Sequence, residues 1–182
     1  LAILAASGRH GMARDKVASL LWPESDSEHA RGLLKQACYV LRRDLNAPDL
    51  FAGSVELRLN PEVMTSDVQG VDDALGSGDR ERAIAAYTGI FLDGFYLSDA
   101  PEFERWVEDT RARIRFRVVD VTESLATEAA VAGDAIAAAS WWRKAVSLDP
   151  LNARAALGLL DTLIAAGEWT AALDFGRTHA SI

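Results

Sequence analysis

Seven side chains have types and spacing suited to one chemistry, the gripping of a nucleic-acid backbone and the reading of base edges. Arg31, Lys35, Gln36, Tyr39, Arg42 and Arg43 fall within the run 20–45, LLWPESDSEHARGLLKQACYVLRRDL, and Arg58 lies a short way on. Guanidinium and ammonium groups pair with phosphate oxygens, which fixes register, whereas an amide such as Gln36 can meet a base edge. By this logic Arg42 and Arg43 position the helix on phosphates, and Gln36 is the residue suited to base readout.

An element must present these groups together, and the pattern predicts a helix. Pro23 cannot continue a helix, and Trp22 before it is pushed out of the helical region. Ser27 reads as the N-cap of a new helix. Ala30, Leu34, Ala37, Cys38, Leu41 and Leu45 then recur at steps of three and four, within roughly a third of the helix circumference. The opposite face carries Gly32, Gln36, Tyr39 and Arg43, flanked by Arg31, Lys35 and Arg42. The same make-up also suits the solvated face of an ordinary domain. Its surroundings point to the sharper reading. Residues 1–6 form a helix or its last turns, Gly8 and Gly11 mark a break, and 13–21 form a second helix with Val17, Leu20, Leu21 and Trp22 inward. Arg14 and Lys16 near its start read as surface with phosphate within possible reach. After the turn-like cluster 46–49, residues 50–59 read as two short strands around Ala52-Gly53-Ser54, with Val55, Leu57 and Leu59 alternating against Glu56 and Arg58. Helix, loop, helix and hairpin succeed one another as in a winged helix-turn-helix, whose second helix enters the major groove.

Charge does not veto that reading. The net charge is −8 over 182 residues, but residues 1–66 balance 8 Lys/Arg with 8 Asp/Glu, so the acidity lies wholly beyond them. A local basic face still binds phosphate, with weak overall attraction. One cysteine, Cys38, sits on the apolar face, where a buried structural thiol is expected. With no possible disulfide within the chain, a reducing, cytoplasmic setting is expected. No run approaches the roughly 18–20 apolar residues of a membrane span, so no membrane partner is expected. The opening LAILAAS has neither a charged n-region nor a methionine, and reads as a cut end rather than a signal peptide.

Past a boundary placed at residues 64–67, β-patterned sequence gives way to Ala-rich helix, and a repeat emerges. Gly78-Asp79, Gly133-Asp134 and Gly167-Glu168 each end one apolar-periodic helix and start another, with Ala83, Ala138 and Ala172 five residues after each glycine. Tyr87 and Trp142 stand four residues later in two of the three. Gly133 and Gly167 are 34 residues apart, the period of a tetratricopeptide repeat. Ala145 and Asp149-Pro150 supply the small residue and the helix stop that such a unit wants. Between the first two units lies the insertion 89–101, GIFLDGFYLSDAP, and beyond it a long helix over about 102–131.

The run 20–45, then LRLNPEV at 57–63, then GIFLDGFYLSDAPEFERWVEDTRARI at 89–114, resembles the SARP/AfsR-type bacterial transcriptional activators. The resemblance spans essentially the whole chain, and FLDGFYLSDAPEFERWVE is its most specific part. It implies a winged helix-turn-helix of the response-regulator effector class, lacking here the small N-terminal sheet, joined to a tetratricopeptide-like bacterial transcriptional activator domain. It also implies that Arg31, Lys35, Gln36, Tyr39, Arg42 and Arg43 lie on the recognition helix and Arg58 in the wing. In such regulators the segment matching 24–27 faces RNA polymerase. Two features depart from the pattern. Leu33 and Val40 stand where DNA-binding relatives often carry polar or basic residues, and Gly32 has no side chain for base readout.

Enzymatic readings fare poorly. His10, His29 and His179 are far apart, and no HxxxH or CxxC spacing offers a metal site. Gly76, Gly78 and Gly89 sit at helix ends without the Lys-Ser/Thr of a phosphate loop. Glu102, Glu104, Glu108 and Asp109 interleave with Arg105, Arg111 and Arg113 as helical neighbours do. Trp106, Trp141, Trp142 and Trp169 read as repeat packing rather than as a ligand box. The expected fold is therefore mainly α: a winged helix-turn-helix over 1–66, truncated at its N-terminus and with a small β-hairpin wing, then a tetratricopeptide-like helical repeat domain over 67–182. The expected function is transcriptional regulation, as an activator, on double-stranded promoter DNA, with no cofactor and no metal. The repeats would serve oligomerisation, RNA polymerase contact or signal input. The alternative is a protein-interaction scaffold whose winged helix no longer binds DNA.

Overall fold

The computed structural model describes residues 1–180; it is mainly helical, with a small three-stranded antiparallel sheet. Packing divides the chain into Leu1–Ala112 and Arg113–Ile182. This division falls well beyond the change of pattern at 66/67, and Ala100, Phe103 and Val107 are buried with the core of the N-terminal elements.

In the first unit, α1 (Ala2–Ala6) leads through a tight turn at Gly8–His10 into β1 (Met12–Ala13), then α2 (Arg14–Leu21) and α3 (Ser27–Asp44). β2 (Phe51–Ala52) and β3 (Glu56–Leu59) come next as a hairpin. The sheet order is β1-β3-β2, with Met12 opposite Leu57 and Phe51 opposite Leu59. β1 is too short to carry an alternating pattern, and sequence reasoning missed it. The hairpin turn depends on Gly53 at φ 88°, a left-handed conformation that a side chain strains. Leu57 and Leu59 point inward and Glu56 and Arg58 outward, as the alternation predicts, while Val55 before the strand is exposed.

Ile3, Leu4, Val17, Leu20, Leu34, Cys38, Leu50, Phe51, Leu57 and Leu59 form one core, which Ala100, Phe103 and Val107 complete. α4 (Asp67–Ser77) and α5 (Arg80–Ala86) belong to the same unit. α4 is tied to the turn at Gly8–His10 by Arg9, whose Nη2 lies 2.8 Å from Asp73 Oδ1. Ser66 caps α4 by accepting from Gln69 N. The first part of α6 (Pro101–Val131) holds down the 91–97 segment. Arg111 donates to the carbonyls of Phe91 at 2.7 Å and Leu92 at 2.5 Å, and Glu104 Oε1 accepts from Leu97 N at 2.8 Å. Arg111 also pairs with Glu108 one turn earlier, as the helical spacing suggested, while Glu104 and the other two nitrogens of Arg111 are committed to a loop. Trp106 packs edge-on to Phe91 and beside Phe103.

In the second unit the rest of α6 is succeeded by α7 (Ala135–Leu148), α8 (Ala153–Ala165) and α9 (Trp169–His179). Gly78 in the first unit and Gly133 and Gly167 here share φ values of 77°, 79° and 77°, so the repeated glycine does one job: it closes a helix in the left-handed region. Asp79 and Asp134 then cap the next helix, accepting from Arg82 N and Ala137 N. Ala83, Ala138 and Ala172 are all buried, which lets neighbouring helices approach closely. Ala126, Ala139, Trp142, Ala145, Ala155, Leu159 and Leu163 make the core of this unit. Glu123, buried at 8% side-chain exposure, accepts from Asn152 Nδ2 at 2.8 Å and pairs with Arg154 Nε at 3.2 Å. Of the four tryptophans assigned to packing, Trp142 is buried and Trp106 and Trp141 partly so, but Trp169 is 62% exposed.

Candidate nucleic-acid interface

The face singled out from sequence lies on α3, whose start is set by Asp26 rather than Ser27. Asp26 Oδ1 accepts from Glu28 N at 3.1 Å and His29 N at 2.9 Å, and these bonds hold its carboxyl below the usual carboxylate range. Aspartate and serine cap equally well, so two adjacent candidates left a one-residue ambiguity that local pattern does not resolve. From this start Ala30, Leu34 and Cys38 are buried, and Leu33, Ala37, Val40, Leu41 and Arg42 are half-buried. Burial pushes the Cys38 thiol up, toward its neutral form. Arg31, Gly32, Lys35, Gln36, Tyr39 and Arg43 are exposed, with Tyr39 at 65%.

The seven candidate residues do not share one state. The side chains of Lys35, Gln36 and Tyr39 form no hydrogen bond or ion pair with any described residue, and stand together along one turn and a half of α3. Arg58 projects from the exposed face of β3 and is likewise uncommitted. Arg43 folds onto its chain neighbour, with Nη2 2.7 Å from Asp44 Oδ1. Arg31 reaches back to α2, where its Nε and Nη2 each lie 2.6 Å from one oxygen of Asp15. That fork holds the Asp15 carboxyl below its usual range and raises the guanidinium.

Arg42 sits differently from the position the helical wheel gave it. It is half-buried, its Cζ lies 5.5 Å from the Phe51 ring centroid, and its Nη2 donates to Phe51 O at 3.4 Å. Its Nε is buried without a hydrogen-bond partner. Arg42 therefore fastens α3 to β2. The wheel places residue 42 at the edge of the outer arc, and nothing local reveals that Phe51 comes to lie beneath it.

Arg14, read from sequence as surface, is a second fastener. Its Nε donates to Ser54 O at 3.2 Å and its Nη2 to Gly53 O at 3.1 Å, so the first turn of α2 holds the tip of the hairpin that carries Arg58. Lys16, two residues on, is exposed and unpaired. Lys16, Lys35 and Arg58 are therefore uncommitted cations on three separate elements, with Gln36 and Tyr39 the uncommitted neutral groups.

The unit also holds an apolar cleft of about 330 Å³, lined by Ile3, Leu34, Cys38, Leu41, Phe51 and Phe103 among others. Its walls are mainly hydrocarbon, with the Cys38 thiol and Leu1 among them. Among the described residues no three of His, Cys, Asp or Glu gather as a metal would need, and no helix is long and apolar enough to cross a membrane. No protein-family model, no curated protein and no solved structure matches the chain.

Proposed function

We propose that the chain is a transcriptional activator that binds double-stranded promoter DNA through α3 and the β2–β3 hairpin. The observation that carries this reading is the outward face of α3, where Lys35, Gln36 and Tyr39 stand exposed and uncommitted. The element order α1, β1, α2, α3, β2, β3 agrees with a winged helix-turn-helix, in which α3 would enter the major groove and the hairpin would track the backbone. Lys16, Lys35 and Arg58 then meet phosphates, and Gln36 meets a base edge. The glycine-closed helix pairs, and the 34-residue spacing of Gly133 and Gly167, support tetratricopeptide-like repeats, whose work is contact with RNA polymerase, a signalling partner or a second copy. The resemblance to SARP/AfsR-type activators points the same way.

A salt titration of binding to random and promoter-derived duplexes tests this. Three phosphate contacts predict a log–log slope of about −2.7, at roughly 0.9 per phosphate. Lys35→Ala reduces that slope by about 0.9, and Gln36→Ala leaves it unchanged while eroding the preference for one duplex. Absence of binding at low salt by the folded chain overturns the proposal. It leaves the interaction scaffold, which the internal commitment of Arg31 and Arg42 favours, as does an apolar groove of about 550 Å³ along α8 and α9, lined by Leu160, Ile164, Trp169 and Leu173.

A further inference from the structure

We infer that Asp15 withholds Arg31 from the DNA backbone, so that one carboxylate on α2 sets how many phosphates the α3 face engages. The inference rests on the DNA-binding reading above. Arg31 and Lys35 are four residues apart on α3, hence neighbours on one edge of the exposed face. Both are exposed and both have the reach of a phosphate ligand, yet only Lys35 is uncommitted. Arg31 spends both faces of its fork on Asp15, through two bonds of 2.6 Å. A guanidinium held in this way presents its best hydrogen-bonding edge to a carboxylate, the same edge that a phosphate would need.

Asp15 acts twice in this arrangement. It occupies Arg31, and it adds a negative charge beside Lys16 at the start of α2, where a phosphate would otherwise approach. The side chains of Arg31 and Asp15 are 61% and 62% exposed, so the pair is in contact with solvent and the exchange of Asp15 for a phosphate is a local side-chain event. In the native chain Asp15 wins because it is always present and already in bidentate register, whereas a phosphate must also tolerate the carboxylate beside it. The native interface thus counts Lys16, Lys35 and Arg58 and omits Arg31.

A double-mutant cycle on the full chain, read as the salt slope of duplex binding, tests the inference. Asp15→Ala releases Arg31 and steepens the slope by about 0.9, from about −2.7 to about −3.6, with tighter binding at 50 mM salt. Arg31→Ala alone leaves the native slope unchanged. Arg31→Ala in the Asp15→Ala background removes the added slope, because the extra phosphate is held by Arg31 itself. A gain from Asp15→Ala that survives without Arg31 overturns the inference, since Asp15 would then only repel phosphate. So does an unchanged slope in Asp15→Ala while Lys35→Ala still flattens it. Salt-insensitive or absent binding by the native chain, Asp15→Ala and Lys35→Ala alike overturns the DNA reading itself, and the inference with it.

Discussion

Gly158 in α8 lies directly against the Trp142 indole of α7. A Cβ added there would stand 2.5 Å from Trp142 Cε2 and 2.7 Å from Cδ2 and Cζ2, where ordinary contact begins near 3.4 Å. Gly158→Ala therefore requires the indole or one helix to move by about 0.9 Å. Neither moves cheaply. Trp142 is 7% exposed and held among Ala139, Ala145, Ala155 and Leu159, and close-packed interiors resist such shifts. Replacing a helical glycine by alanine favours the helix by about 1 kcal/mol, but overpacking a core costs about 1–3 kcal/mol. The net effect expected is a loss of up to about 2 kcal/mol, a fall of up to about 8 °C in the melting temperature for a chain of this size.

Gly176→Ala is the matched control. Gly176 lies within α9 of the same unit, and its added Cβ comes no closer than 3.8 Å, to Leu160 Cδ2. The helix-propensity gain is then unopposed, and stability rises by up to about 1 kcal/mol. Thermal unfolding monitored by far-UV circular dichroism reads both signs. Adding Trp142→Leu to Gly158→Ala removes the clashing ring atoms, so the two changes are less costly together than their separate effects sum to. A Gly158→Ala chain as stable as Gly176→Ala would refute the close α7–α8 packing at Trp142.

Three further outcomes are expected. Arg42→Ala lowers stability by about 1–2 kcal/mol, through loss of its packing on Phe51, yet leaves the salt slope of duplex binding unchanged, the reverse of Lys35→Ala. Arg111→Ala frees the carbonyls of Phe91 and Leu92, costs about 2 kcal/mol, and speeds both amide exchange and limited proteolysis within residues 90–98. Asp26 has a folded-state carboxyl pKa below the ordinary value near 4, so its capping contribution is complete above that value and disappears as pH falls through the folded one. Asp26→Asn keeps the cap without titrating, and should flatten acid fraying of α3 as read from the Glu28 and His29 amide resonances.

Local periodicity encodes the part of this fold that was legible in the sequence. The apolar stripe Ala30, Leu34 and Cys38 on α3, the alternation of Leu57 and Leu59 against Arg58, and the recurring glycines at 78, 133 and 167 all emerge as read. Each is a relation between residues a few positions apart, governed by a helix or strand period. The illegible part depends on contacts between distant segments. Nothing near Arg31 names Asp15, sixteen residues earlier, as its partner, and nothing near Arg14 names the carbonyls of Gly53 and Ser54. The helical wheel assigns Arg42 by angle alone, whereas Phe51 beneath it decides its state. β1 is two residues long and exists only because β3 pairs with it. The packing division after Ala112 is likewise a tertiary fact, carried by Ala100, Phe103 and Val107 entering the first core.

The commitments of these arginines bear directly on how tightly a DNA-binding face of this kind can hold. Arg9, Arg14, Arg31, Arg42 and Arg43 each have an acceptor or a ring within the first unit, and Lys16, Lys35 and Arg58 do not. Three phosphate contacts lose affinity about 40-fold between 50 and 200 mM salt, against the 10³ to 10⁵ typical of proteins that make six to ten. On the DNA reading one such face is therefore modestly attracted and only mildly salt-sensitive. Gln36 alone cannot supply the specificity ratio that a regulator needs, since a good base contact discriminates by about 1–3 kcal/mol. The deficit has a physical remedy in a second copy bound alongside, because two linked faces gain effective concentration without any new contact. Sedimentation of the chain on duplexes carrying one or two half-sites distinguishes the cases. Cooperative loading of the two-site duplex, at concentrations where the one-site duplex stays free, is the outcome that three free cations and one amide require of a specific reader. Equal occupancy of both duplexes would mean that a single face suffices, and that the count of available contacts is too low.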